Sequence, residues 1–366
     1  MSTTPLTPDS SLLQPVQLGA LALDNRILMA PLTRNRAEAD GTPNQLQATY
    51  YAQRASAGLI ITEGSQPAAI GKGYPNIPGV HNDAQQAGWA RIADAVHAAD
   101  GRIVVQLMHS GRISHPDTLD GATPVAPSAV RPAGDIVTPN GVLPFVEPRE
   151  LRTDELPGVV ADFADAARRA VAAGLDGVEL HAANGYLLHQ FLADGSNRRT
   201  DGYGGSPKGR ARFVVEVARA VADAIGADRV GIRISPGNPF NDMTESDLAV
   251  YPILTCELRN LGLAYLHVLA EPSAEILGQL RAIWPSRLVL NTGFAHESDR
   301  DVMDGLLRSG IVDAVAVGRP FLANPDLVRR WTLGAELNQP DEATFYGGDA
   351  RGYTDYPTLE EVNAAA

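Results

Sequence analysis

Gly177-Val178-Glu179-Leu180-His181-Ala182 alternates: Val178 and Leu180 share one face of an extended segment, Glu179 and His181 the other. In Gly231-Ile232-Arg233-Ile234-Ser235, Arg233 opposes Ile232 and Ile234, and in Val105-Gln106-Leu107 the odd residue is Gln106. Tyr265 and His267 oppose Leu266 and Val268 in the same way. Apolar runs of this kind predict strands at 25–31, 59–63, 102–107, 177–182, 230–236, 264–269, 287–292 and 314–318. Helical patterns come after them at 45–57, 83–99, 153–173, 207–225, 244–261, 273–284, 297–309 and 324–333, with Ser298 and Asn324 as helix-start signals. Strand then helix, eight times over, predicts an α/β fold, a (β/α)8 TIM barrel. The alternative is a doubly wound sheet, which calls for a Gly-rich turn after its first strand. Here that strand runs into Pro31-Leu32-Thr33-Arg34.

Helices sheathe a barrel, so the apolar faces point outward and the polar faces inward, near the C-terminal strand ends where barrel active sites are built. One buried polar residue can be a satisfied part of a core. Gln106, His181 and Arg233 converge on one end, and an interior Arg is costly unless it meets an anion or strong acceptors. The last two strands end in Gly293 and in Gly318-Arg319. Loops there often form a phosphate site, with Gly admitting the phosphate to backbone N–H groups and Arg319 adding a charged contact; a plain turn is the other reading. The run from Gly202 to Gly209 is no phosphate-binding motif, and it reads as the loop ahead of a helix.

The 366 residues fit one large domain, here 12–366 behind a flexible tail at 1–11. Residues 110–152 break the rhythm without a helix period. They predict an excursion after strand 3 with a hairpin near Asn140-Gly141, either roofing the barrel mouth or decorating the surface. A net charge of −13 argues against nucleic-acid or anionic-membrane partners. The lone Cys256 excludes a disulfide framework and a thiolate metal cluster. No apolar run approaches a membrane span, no secretory signal is present, and a cytoplasmic protein without metal is expected.

Several blocks resemble the Old Yellow Enzyme family over nearly the whole chain. They are Ala30-Pro31-Leu32-Thr33-Arg34, Val105-Gln106-Leu107 with His109, and Gly177-Val178-Glu179-Leu180-His181-Ala182-Ala183-Asn184-Gly185-Tyr186. To these add Asn197-Arg198-Arg199-Thr200-Asp201, Gly318-Arg319-Pro320-Phe321 and Phe345-Tyr346-Gly347-Gly348. Thr33 is similar to the classical branch, since the thermophilic-like branch usually has Cys there. The resemblance implies FMN in the barrel mouth, cradled by Pro31, Leu32, Thr33 and Gly64. Thr33 would bond the flavin C4 carbonyl, Gln106 and Arg233 its pyrimidine edge, and Gly293, Gly318 and Arg319 its phosphate. His181 and Asn184 would donate to a substrate oxygen, Tyr186 would supply a proton, and Tyr74, Met108 and Tyr346 would line the substrate pocket. Asn184 replaces the second His of some relatives, Met108 stands where others have Trp, and Gly64 where Ala is frequent.

The activity that the resemblance implies is reduction of activated alkenes (α,β-unsaturated carbonyls, maleimides, nitroalkenes) with hydride from NADPH or NADH, by a ping-pong mechanism. Charge develops on the substrate oxygen, and a Tyr with an ordinary pKa near ~10 keeps a proton to give at neutral pH. The alternatives are a dienoyl-thioester reductase, which needs more Cys, and a flavin-free (β/α)8 lyase or isomerase acting on a phosphorylated substrate. No strand carries a Schiff-base Lys for the latter. Monomer and homodimer both remain open.

Overall fold

Eight parallel strands hydrogen-bond in a closed ring in the computed structural model, which describes residues 4–271, 274–293 and 299–365. They are β1 (Ile27–Met29), β2 (Leu59–Ser65), β3 (Ile103–Leu107), β4 (Gly177–Ala182), β5 (Val230–Ile234), β6 (Tyr265–Leu269), β7 (Arg287–Asn291) and β8 (Ala314–Val317). Val315 and Val317 of β8 pair with Ile27 and Met29 of β1 and close the barrel. The outer helices are α1 (Gln45–Ala52), α2 (Asp83–His97), α3 (Leu156–Ala172), α4 (Pro207–Ile225), α5 (Val250–Leu258), α6 (Glu275–Ile283), α7 (Arg300–Ser309) and α8 (Leu327–Leu333).

The strand alternation divides the core in two. Val105, Leu107, Val178, Leu180, Ile232, Ile234, Leu266 and Val268 face outward and pack with Trp89, Phe163 and Val214 of α2, α3 and α4. Leu28, Leu59, Ile61, Val104, Val289 and Ala314 face inward. They meet Val16, Leu18, Leu21 and Leu23 of an N-terminal hairpin that plugs the barrel below. Gly19 turns that hairpin in the left-handed region (φ 57), and a Cβ there would lie 2.1 Å from the Asp228 carbonyl oxygen. Only glycine fits so close an approach.

Local signals explain several helix starts. Asn44 and Gln47 form a capping box on α1, Asn82 caps α2, and Ser206 followed by Pro207 starts α4 out of the Gly-rich run. The helix expected at 45–57 stops at Ala52, and the one expected at 244–261 begins only at Val250. Two start signals need correction or replacement. Asn324 closes the short helix Arg319–Ala323, its Nδ2 donating to the Pro320 carbonyl at 2.9 Å, so α8 begins later, after Asp326. Ser298 and the expected helix starts at 273 and 297 lie outside the described residues, and the cap seen on α7 is Asp299. Near the N-terminus, the Leu6 N–H donates to the Thr332 carbonyl at 3.1 Å and Arg300 donates to the Thr4 carbonyl at 2.7 Å.

The excursion contains the expected hairpin, Asp135–Thr138 against Gly141–Pro144. Ile136 and Phe145 pack with Met108, Ile113 and Tyr186, so this segment covers the barrel mouth rather than a remote surface. Arg199 and Asp201 fasten it: Arg199 donates to the Pro127 carbonyl at 3.1 Å, and Thr153 donates to Asp201 at 2.6 Å.

Candidate active site

Above the apolar plug, the barrel interior turns polar. Gln106 on β3 lies level with Glu179 on β4, and His181 lies level with Arg233 on β5, which is level with His267 on β6. Gln106 Nε2 and His267 Nδ1 each donate to the Glu179 carboxylate at 2.8 Å. Burial pushes the Glu179 carboxyl up, but His267, Arg233 and Gln106 outweigh it and hold the group below its ordinary value. Burial also holds His267 low. His267 presents its Nδ1–H to the Glu179 carboxylate. The Tyr265 ring fills the space over Gly231, where a Cβ would approach it to 2.2 Å.

Arg233 is the cation of this layer. Its Nη2 donates to Asn291 Oδ1 at 3.1 Å, and Asn291 donates in turn to the Ala316 carbonyl. Its Nε is buried with no partner among the described residues. Burial works to lower its pKa, and Glu179 is the main opposing influence.

A cavity of about 590 Å³ opens above these side chains, the size and shape of a cofactor or ligand site. Every residue assigned to the site from the sequence lines it. Pro31, Leu32 and Thr33 come from the loop after β1, Gly64 and Gln106 from β2 and β3, and Met108 from just beyond β3. His181, Asn184 and Tyr186 come from β4 and its loop, and Arg233 from β5. Gly293, Gly318 and Arg319 come after β7 and β8, while Tyr74 and Tyr346 form part of the wall. Gly293 is left-handed (φ 86), and Arg319 is exposed.

The loop that carries Thr33 is fixed by its neighbour. The Arg34 N–H donates to buried Glu63 at 3.2 Å, and its guanidinium donates to the carbonyls of Phe345 and Gly352, each at 2.8 Å. Glu63 also accepts from Gln47 and Tyr51 of α1. Burial raises the Glu63 pKa. A register shift between Ile61 and Gly64 sends Glu63 toward α1 and sets Gly64 level with Gln106 in the cavity wall. A Cβ on Gly64 would stand 2.5 Å from Met108 Sδ, so these two residues shape the wall together.

After β4 the chain makes a tight turn. Asn184 (φ 53) and Gly185 (φ 79) are left-handed, and their N–H groups donate to Ser235 Oγ and His189 Nδ1, each at 2.9 Å. His189 thus has a structural part in the turn. The turn places the Tyr186 ring edge-on to His181, with centroids 4.9 Å apart, and the Tyr186 hydroxyl 3.4 Å from that of Tyr74. Burial, and after it Arg233, hold His181 well below its usual pKa, so it is neutral near pH 7. Burial raises the Tyr186 pKa. His181 Nδ1 and Asn184 Oδ1 are buried without a partner among the described residues. Sequence reasoning gave no role to Glu63 or Asn291. Asn291 was readable as a polar residue at a strand end, but Glu63 was not.

A closed βα barrel with a cation, neutral hydrogen-bonding groups and a phenol at its C-terminal mouth has the arrangement of a barrel enzyme's active site. Residues 11–338 match the family model described as the NADH:flavin oxidoreductase / NADH oxidase family, and the chain belongs to that family. It is 42% identical to a probable flavin mononucleotide-dependent alkene reductase of Leishmania infantum, covering 95% of this chain and 97% of that one. Morphinone reductase, solved in complex with tetrahydroNAD, superposes with a TM-score of 0.91 at 47% identity, covering 95% of this chain and 98% of that one. An Old Yellow Enzyme homologue from Zymomonas mobilis gives 0.92 at 40% identity over 95% and 100%. The resemblance to the Old Yellow Enzyme family therefore holds, and the protein is an oxidoreductase. The flavin-free lyase or isomerase falls with that membership. Among the described residues, no helix is long and apolar enough to cross a membrane.

Proposed function

We propose that this enzyme is an FMN-dependent ene-reductase that reduces the C=C bond of activated alkenes with hydride from NADH or NADPH. One observation carries the reading: His181, Asn184 and Tyr186 lie within six positions at the end of one strand, in the same cavity as a buried Arg233 Nε that no described protein group satisfies. An orphaned buried guanidinium N–H is costly unless an acceptor completes it. The electron-rich pyrimidine edge of a flavin suits that donor. Gln106 would serve the same edge, Thr33 the C4 carbonyl, and Gly293, Gly318 and Arg319 the phosphate.

Bound there, FMN supplies hydride transfer from the nicotinamide to the alkene β-carbon. The neutral side chains of His181 and Asn184 then donate to the carbonyl or nitro oxygen, on which negative charge develops. Tyr186 holds the proton for the α-carbon, and its raised pKa keeps that proton in place at neutral pH. Nicotinamide and alkene share one cavity and enter in turn, so initial-rate lines should be parallel. Denaturing the purified enzyme should release stoichiometric FMN, and a panel of enones, maleimides and nitroalkenes should be reduced with one or both nicotinamides. Colourless protein that FMN cannot reconstitute overturns the cofactor, and intersecting initial-rate lines overturn the shared cavity.

A further inference from the structure

Asn241 lies in the loop between β5 and α5, and both it and Asp242 are left-handed (φ 61 and 56). Its Nδ2 donates to the Asn184 backbone carbonyl at 2.8 Å. Its Cβ presses on Gly185, where an added Cβ would come within 2.6 Å of it. From the other side, buried Arg112 holds the loop, its Nη2 donating to the Asp242 carbonyl at 2.7 Å and to the Asn241 carbonyl at 3.4 Å. The Asn241 side chain is thereby locked onto the turn that separates Asn184 from Tyr186. An amide NH2 has two N–H bonds, of which one goes to the Asn184 carbonyl. Burial raises the pKa of both phenols, and hydrogen bonding from Asn241 counters it in both.

We infer that Asn241 is a positioning residue for proton delivery: it fixes the Asn184–Tyr186 turn and holds the Tyr186 hydroxyl in place beside Tyr74. The inference rests on Tyr186 being the proton donor proposed above. In that step the Tyr186 O–H bond breaks as a C–H bond forms at the substrate α-carbon, leaving a phenolate that solvent later reprotonates. A hydrogen bond from Asn241 stabilises that phenolate as it forms.

Alanine would be strained in a left-handed backbone, so the test uses Asn241→Gly, which removes the amide without strain, and Asn241→Asp, which keeps the backbone preference but loses the N–H donor. Rapid mixing separates flavin reduction by nicotinamide, reoxidation by an enone, and reoxidation by a quinone that takes up protons on oxygen alone. Both variants should slow the enone step about 10-fold, part of the usual contribution of a general acid, and leave the other two unchanged. The alkaline limit of the enone step should move upward, because the phenol loses a group that favours its ionised form. NMR of ring-labelled Tyr186 should show the same upward shift. Equal slowing of all three steps would mean that Asn241 only supports the fold, and an unchanged enone step would deny it a role; either overturns the inference. Tyr186→Phe is run in parallel. If it leaves the enone step intact, the proton-donor reading is what fails. If it slows that step while both Asn241 variants do not, the failure belongs to Asn241.

Discussion

At the N-terminal end of the barrel, Leu28, Leu59, Val104 and Val289 meet Leu18, Leu21 and Leu23 of the hairpin, all buried and all apolar. At the C-terminal end, His181, Asn184 and Arg233 are buried almost as deeply, yet each carries a polar atom without a partner among the described residues. The same strands supply both ends. A fully buried Leu contributes about 1.5–3 kcal/mol, whereas an unsatisfied buried polar atom costs about 1–3 kcal/mol. The lower end therefore holds the barrel closed, and the upper end uses part of that stability to keep donors and acceptors ready for a ligand. The two ends should respond to substitution in opposite ways.

The largest expected effect is at the upper end. If His181 is the oxyanion donor proposed above, His181→Ala should slow alkene reduction roughly 10²–10³-fold. Its denaturant midpoint should move far less than that of a variant in the plug, because the side chain removed was incompletely hydrogen-bonded. Paired half-reaction kinetics and chemical unfolding on the same preparation check both statements. A large stability loss with little kinetic change would make His181 a core residue and erase the contrast.

Leu18→Ala is the counterpart below. Deleting a fully buried Leu from the plug should cost about 2–5 kcal/mol, since the site cannot fully collapse around the gap. The turnover of the remaining folded enzyme should be unchanged. A fall in kcat with unaltered stability would show that the plug communicates with the mouth, contrary to the division of labour between the two ends.

Much of this contrast was legible in the sequence. Alternation fixes which face of a strand meets the helices, so Gln106, His181 and Arg233 could be turned inward from the residue pattern alone. The failures have identifiable causes. The strand read at 59–63 hides an extra residue, and the register shift between Ile61 and Gly64 reverses the sense of alternation there. Strict period-two reasoning would have pointed Glu63 into the barrel, whereas it bonds to α1. Val16–Leu23 does alternate, but its two strands have three residues each and stand outside the strand–helix rhythm. Asn241 hydrogen-bonds to Asn184, 57 positions away. Nothing in an Asn-Asp pair within a loop announces a partner at that distance.

The smallest effect tests whether the upper end is wholly given to chemistry. Asp201 lies beyond β4, yet its partners are structural: Arg199 donates to it at 2.6 and 3.0 Å, Thr153 at 2.6 Å and the Tyr203 N–H at 3.0 Å. These bonds fasten the excursion that covers the mouth. Hydrogen bonding from Arg199 holds the Asp201 carboxyl far below its ordinary value, against a smaller opposing effect of burial. With its folded pKa depressed, the group stabilises the protein fully above the unfolded value near ~4. That contribution fades as pH falls below ~4 toward the folded value. The carboxylate is partly exposed, so Asp201→Asn should cost only about 1 kcal/mol at neutral pH. The difference between wild type and variant should shrink as acid protonates the wild-type carboxyl. Unfolding free energies measured from pH 7 down to the acid transition check this, and the neutral-pH rate with small enones should be unchanged. A stability gap that persists in acid would place the loss in packing rather than charge. A large rate loss at neutral pH would mean that fastening the excursion is itself part of how the mouth works.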